Sequence, residues 1–275
     1  MAQNIYSLRR DIVEVGRRIY DKGFVASNDG NISARLDDER VMITPTGVSK
    51  GFMKAEDMVI VDMDGKVLNG DKRPSSEVFM HLQVYKDRPD VNSVCHSHPP
   101  YATGFAVAGL PLDQCVLPEV IIVLGDVPLV EYGTPGTEDF YRPVRKYLKD
   151  HDAFLLANHG TLTLGKDVFN AYYKTETLEH FAKIAFIARQ LGQVNVLDKT
   201  DAQTLFDARA RYGIQSTTVC KTCEDEGVDA CVVHGAGDPA QRSVKPVNSV
   251  PVQTTDVDQD EIAKIVTEAV LKQIG

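Results

Sequence analysis

Tryptophan is absent from this 275-residue chain, basic residues (30) fall short of acidic ones (39), and the five cysteines follow no regular spacing. Each scarcity excludes something. A net charge of −9 without clustered Lys and Arg argues against nonspecific nucleic-acid binding, which depends on neutralising phosphates. The longest apolar stretch, Val116 to Val130, is interrupted by Glu119 and Asp126 and is too polar for a membrane span. The opening Met1-Ala2-Gln3-Asn4 runs directly into Arg9, Arg10 and Asp11, so no apolar leader is expected and the location predicted is cytoplasmic. In that compartment Cys95, Cys115, Cys220, Cys223 and Cys231 are expected to be thiols or metal ligands rather than disulfides.

What is present reads as folded protein, with 43% hydrophobic and 25% charged residues. The length suits one large domain plus something smaller. Ile5, Leu8, Ile12, Val15 and Ile19 recur at helical spacing, and Gly23 is a suitable stop. Short β-branched segments at 41–44 and 58–62 read as strands. Beyond them the pattern predicts helices at 76–87, 99–108, 137–149 and 167–192, alternating with strands at 92–97, 127–131, 153–157 and 161–164. A layered α/β domain over residues 1–214 follows.

The texture then changes. Residues 215–261 hold nine acids against three bases, and 235–255 is rich in Gly, Pro, Ser, Val and Gln without periodicity, so residues 215–255 read as an acidic, Cys-containing linker. In the last segment, 256–275, Ile262, Ile265, Val266, Ala269, Val270 and Ile274 form one helical stripe, with acids before it and Lys272 near its end. The tail is therefore expected to be flexible and to end in a short amphipathic helix.

Chemistry concentrates at a few places. His96-Ser97-His98 closes a predicted strand, where alternation sends both imidazoles to one side, as a shared metal requires. His159, after the apolar run 154–157, sits at a second strand end, and Gly160 lets backbone approach closely. Glu77 falls at a predicted helix start that Ser75 or Ser76 can cap. Three histidines and one carboxylate make an open, catalytic type of zinc set. For an anionic substrate, the turns around Asn28 and Asn31, Thr46-Gly47, and the helix start at Ser75-Ser76 offer backbone N–H groups. Cys220, Cys223, Cys231 and His234 have CxxC and CxxH spacing that suits a second metal, although the intervening segment is short.

In order, Gly30-Asn31-Ile32-Ser33, Ile43-Thr44-Pro45-Thr46-Gly47, Pro74-Ser75-Ser76-Glu77, His96-Ser97-His98-Pro99, Tyr132-Gly133-Thr134 and Asn158-His159-Gly160 resemble the class II sugar-phosphate aldolases. The resemblance runs over residues 5–214 and is strongest to the fuculose-phosphate branch. It implies a three-layer α/β/α fold around a mainly antiparallel sheet, and a homotetramer with active sites between subunits. It implies one Zn2+ per subunit, or another divalent metal, on His96, His98 and His159. Glu77 would bind the metal at rest and exchange protons with an enediolate, while Asn31, Thr46, Gly47, Ser75 and Ser76 would hold phosphate.

The reaction so implied cleaves a ketose 1-phosphate, fuculose 1-phosphate being favoured, to dihydroxyacetone phosphate and lactaldehyde. Two positions depart from the family pattern. Asn28 stands where a threonine is usual, and Pro118 or Glu119, depending on the gap, replaces a tyrosine that acts on the aldehyde end. Tyr212, in a segment resembling one that closes over the active site, is the substitute expected. A pentulose-phosphate 4-epimerase or a sugar-phosphate dehydratase would use the same fold, and a metal-free binding module is the alternative of another class. The tail helix resembles the peptides that carry enzymes into bacterial microcompartments, which makes shell or cargo proteins the expected partners.

Overall fold

The computed structural model describes residues 4–212, together with 214, 220–222 and 225. The expected linker, apart from these few positions, and the expected tail helix lie outside the described residues.

Helix α1 (Ile5–Asp21) buries Leu8, Ile12, Val15 and Ile19, the stripe its spacing predicts, and the Asn4 side chain caps its start. The chain then lays down β1 (Asn31–Arg35), β2 (Arg40–Ile43), β3 (Val59–Asp62) and β4 (Val67–Asn69). Next come α2 (Val78–Asp87), β5 (Ser93–Ser97) and α3 (Pro100–Ala108). After α4 (Pro118–Val123), β6 (Leu129–Val130) and the short α5 (Glu138–Tyr141), β7 (Ala153–Leu156) and β8 (Gly160–Gly165) complete one sheet. The long α6 (Val168–Gln190) and α7 (Lys199–Arg209) follow.

The eight strands run in the order β4-β3-β2-β1-β5-β8-β7-β6. Every neighbouring pair is antiparallel except β6 with β7. Alternation along the strands sorts side chains into two layers. Val41, Ile43, Val59, Val61, Val94, Phe154 and Leu156 face α2 and the segment 140–148. Met42, Ile60 and Cys95 face α1 and α6, and Ala153 and Leu155 face α3 and α6. The expected mainly antiparallel, three-layer α/β/α architecture is the one observed.

Two expectations change. The predicted helix 137–149 is broken, because Pro143 has no N–H to continue α5 and a 3-10 turn, Pro143–Lys146, takes over. The cysteines expected to be thiols or metal ligands include a disulfide, Cys115–Cys220. Its cause is local: Lys221 N–H donates to the Asp113 carbonyl and Cys115 N–H to the Lys221 carbonyl, so residues 220–222 lie alongside 113–115. With its sulfur spent in that bond, Cys220 has no thiolate to offer a metal; Cys223, Cys231 and His234 lie outside the described residues. Among the described residues no helix is long and apolar enough to cross a membrane.

Candidate active site

The register of the central strands assembles the site. In the β1–β5 ladder Asn31 lies opposite His96, and in the β5–β8 ladder His96 lies opposite Leu162. His96 is two residues beyond Val94 and so shares the face covered by α2, where Glu77 and His81 are. His98 follows the end of β5, its N–H donating to the Phe24 carbonyl over 2.8 Å. His159 occupies the turn from β7 to β8, after Asn158, which adopts a left-handed φ of 56°. Gly160 is required here, since a Cβ would come within 2.5 Å of the His98 ring and 2.6 Å of the Ser97 carbonyl oxygen.

These constraints converge three imidazoles. His96 Nε2 is 3.1 Å from His98 Nε2 and 3.1 Å from His159 Nε2. The ligand atoms of all three rings lie within 4.8 Å of one another. Glu77 stands beside them, with Oε2 3.2 Å from His96 Nε2 and Oε1 3.0 Å from His159 Nε2. The Phe140 ring packs edge-on to His159 at 4.9 Å and closes that side with apolar surface.

The donor set fits a divalent cation. His96 Nδ1 donates to the Thr161 carbonyl over 2.8 Å, because a carbonyl only accepts, and this leaves a lone pair on Nε2. A tetrahedral ion with metal–nitrogen bonds of about 2.0–2.1 Å separates its nitrogens by roughly 3.3 Å. The observed 3.1 Å spacings approach that edge. Burial pushes His96 down to about 3, so it is a neutral ligand at physiological pH. Burial and the neighbouring His159 also lower His98. Burial alone would raise Glu77, but His96, His159 and Asn31 outweigh it and hold the carboxyl well below its ordinary value. A carboxylate beside a neutral His96 is the resulting resting state.

Glu77 is the N-cap residue of α2, and its own N–H donates to Ser75 Oγ over 3.3 Å. The cap thus falls on Glu77 itself rather than on the expected Ser75 or Ser76, and its side chain makes no capping hydrogen bond and points at the histidines instead. Asn28 and Gly47 line an open cleft of about 540 Å3 with Ser27, Ser49, Tyr20 and Phe52. Bridge pairing of Pro45 with Pro74 brings the segment containing Thr46 beside that containing Ser75. Asn31 is turned inward, 3% exposed, and its amide donates to Glu77 Oε2 over 2.7 Å. Tyr212 is elsewhere: it lines a cleft with Arg88, Asp152 and Lys174 and with Gly165, the far end of β8 from His159. The substitute acid expected from Tyr212 is therefore not at the histidines of its own chain, since it lies by Gly165 while His159 precedes the opposite end of β8.

Four contributors escaped the sequence reading. Thr161 acts through its carbonyl, and Asp29 places Oδ2 3.6 Å from His98 Nδ1. Ser49 Oγ has no hydrogen-bond partner although it is buried against the cleft. Lys50 is 1% exposed and donates to the Asn28 and Val48 carbonyls. Only Asp29 carried a signal, lying in the turn already suspected of binding substrate.

Three imidazoles at one end of β5 and β8, with the carboxylate at the start of α2 beside them, form the site of an enzyme of the aldolase or lyase type. The chain matches the family described as Class II Aldolase and Adducin N-terminal domain over residues 10–186. It is 36% identical over 181 residues to an L-fuculose phosphate aldolase of Methanococcus maripaludis, spanning 66% of this chain and 97% of the relative. It is 34% identical over 198 residues to a 3-oxo-tetronate 4-phosphate decarboxylase of Haemophilus influenzae, spanning 70% and 93%. The solved structure of an L-fuculose 1-phosphate aldolase superposes with a TM-score of 0.69 at 30% identity, covering 76% of this chain and 97% of that one. The chain belongs to the class II aldolase family; the aldolases of this class are metal-dependent, and His96, His98 and His159 form a cluster suited to hold a metal ion.

Proposed function

We propose that the protein reversibly cleaves a ketose 1-phosphate to dihydroxyacetone phosphate and a short aldehyde, with fuculose 1-phosphate and lactaldehyde as the favoured pair. The observation that carries this reading is the Glu77 carboxylate set 3.0–3.2 Å from two of three convergent imidazoles. A divalent cation, zinc in this proposal, would be held by His96, His98 and His159 and would supply Lewis-acid stabilisation of enediolate charge. Glu77, a carboxylate at rest, would first take up a proton from solvent and deliver it to the enediolate carbon, returning to the carboxylate; in the reverse direction the carboxylate removes that proton and releases it to solvent. The cleft at Asn28, Gly47 and Ser49, with Thr46, Ser75, Ser76 and the inward Asn31 nearby, receives the phosphate through backbone and side-chain donors.

Decarboxylation of a 3-oxo acid phosphate is the second reading. Loss of CO2 from 3-oxo-tetronate 4-phosphate leaves the same enediolate of dihydroxyacetone phosphate, which Glu77 would protonate in the same way. Cleavage to an aldehyde also requires a group that takes the proton of the departing hydroxyl; loss of CO2 does not. Pro118 or Glu119, both at the start of α4, stands where the fuculose-phosphate branch has its tyrosine, and this favours the decarboxylase on that one point. The aldolase reading assigns the missing group to Tyr212 of a neighbouring copy in a homotetramer. Incubation with fuculose 1-phosphate and with the 3-oxo acid phosphate, with and without chelator, separates them. Dihydroxyacetone phosphate with lactaldehyde supports the first, dihydroxyacetone phosphate with CO2 the second, and neither product rejects both.

The proposal extends to the tail. Residues 256–275 would carry the enzyme into a bacterial microcompartment by presenting the stripe of Ile262, Ile265, Val266, Ala269, Val270 and Ile274 to a shell or cargo protein. Enclosure would retain a reactive aldehyde. Deleting these residues should abolish co-purification with shells and spare catalysis; retained co-purification would reject this role.

A further inference from the structure

A chain of buried polar side chains runs from the core to Glu77. Tyr85 Oη is 2.7 Å from Ser33 Oγ, and Ser33 Oγ is 2.6 Å from His81 Nδ1. His81 Nε2 meets Asn31 Oδ1, and Asn31 Nδ2 donates to Glu77 Oε2. Ser33 and His81 are fully buried, and Tyr85 and Asn31 are 2% and 3% exposed. The face of β1 that carries Asn31 and Ser33 packs on the α2 face carrying His81 and Tyr85. These two otherwise unexpected polar residues thus find their partners on one helix.

The direction of every proton in this chain is fixed from its end. A carboxylate only accepts, so Asn31 must present its amide nitrogen to Glu77 and its carbonyl oxygen to His81. His81 then carries its hydrogen on Nε2 and accepts on Nδ1. Ser33 must donate to His81, which leaves its oxygen to accept from the Tyr85 hydroxyl. The opposite order would place the Asn31 carbonyl oxygen against the Glu77 carboxylate.

We propose that His81 is a positioning residue for the proton-transferring carboxylate, acting through Asn31, and that Ser33 and Tyr85 hold it in the required tautomer. This rests on the reading of Glu77 as the proton carrier. The chain keeps the Asn31 amide from rotating and so keeps Glu77 Oε2 in place while Oε1 is exchanged between partners. Loss of a link leaves the site intact but lets the carboxylate turn.

Ser33→Ala and Tyr85→Phe remove single hydroxyls without adding bulk, so both variants are expected to fold. The readout is exchange of a carbon-bound proton of dihydroxyacetone phosphate with solvent deuterium, together with kcat, KM and metal content. Ser33→Ala should lower exchange and kcat about tenfold with KM and metal retained, the size expected for groups that orient an active-site ligand. Tyr85→Phe, one link further out, should cost less. Unchanged exchange in Ser33→Ala, or a loss that merely follows lost metal, would overturn the proposal. Imidazole 15N NMR tests the chain apart from the reaction. His81 protonated on Nε2 in the wild type, shifting toward a tautomer mixture in Ser33→Ala, supports it, and His81 protonated on Nδ1 in the wild type overturns it. Wild-type protein without exchange but with the Nε2 tautomer would reject the reaction assigned above and leave the positioning of Glu77 supported.

Discussion

The His96 ring is held by the Thr161 carbonyl, 2.8 Å from Nδ1, and this contact across the β5–β8 ladder aims Nε2 at His98 and His159. Such an outer hydrogen bond fixes the tautomer a metal requires. Purified protein should therefore hold one divalent ion per chain, removed by chelator with loss of activity and restored by adding the metal. His96→Ala should bind less than about one tenth of an equivalent under the same conditions, since a catalytic site needs its full set of about three protein ligands. Elemental analysis checks this, and a full equivalent in His96→Ala would exclude the cluster as the metal site.

Glu77→Gln keeps the shape of the side chain and the three imidazoles, but removes the group that moves the proton. Turnover should fall by about 10²–10⁴ with metal content near that of the wild type, the range for loss of a general acid–base. Steady-state kinetics paired with metal analysis tests it. A Glu77→Gln variant within a few-fold of wild type would assign proton transfer elsewhere.

How far the sequence revealed this site depends on distance along the chain. His96 and His98 were legible because strand alternation is a local rule, and Gly160 because close approach at a strand end needs a residue without Cβ. Strand β1 was not expected, since Asn31 and Ser33 weaken its β character; their reason to be there is α2, some fifty residues on. Pro143 marks a break that the apolar spacing of 137–149 concealed. The disulfide was missed because its partners are 105 residues apart and meet only through the backbone pairing of 113–115 with 220–222. His81 lies one helical turn from Glu77, but its link through Asn31 requires β1 to pack against α2, some fifty residues on in the chain.

Acid should destabilise the fold through His81. Complete burial pushes its pKa down to about 4, against the opposing charge of Glu77. The unfolded side chain titrates near about 6.5, so between those values the unfolded state binds a proton that the folded state declines. Stability is then lost as pH falls from about 6.5 toward 4, by about 2 kcal/mol at pH 5 for this group. Urea unfolding of metal-free protein at pH 7 and pH 5 should show a larger drop for the wild type than for His81→Gln. Equal drops would mean that His81 does not contribute.

Lys50 offers the sharpest check on the phosphate cleft. Its ammonium donates to the Val48 carbonyl over 2.7 Å and to the Asn28 carbonyl over 3.0 Å, tying together the two turns that line the cleft. Burial lowers its pKa to about 8, with Asp29 and Glu77 acting in the other direction. The cation is present below that pH and lost above it, so the clamp and its favourable field on a phosphate weaken as pH rises through about 8. Lys50→Met retains the aliphatic volume and removes the charge at every pH. It should raise KM for the phosphorylated substrate about tenfold, as loss of a charge-assisted contact of about 1.4 kcal/mol would. The effect on kcat should be smaller, and the alkaline rise in KM should disappear. Inhibition by inorganic phosphate should weaken in parallel, because that probe uses the cleft without the rest of the substrate. If kcat alone falls while KM and phosphate inhibition stay constant, the cleft at Asn28 and Gly47 is not where the phosphate binds.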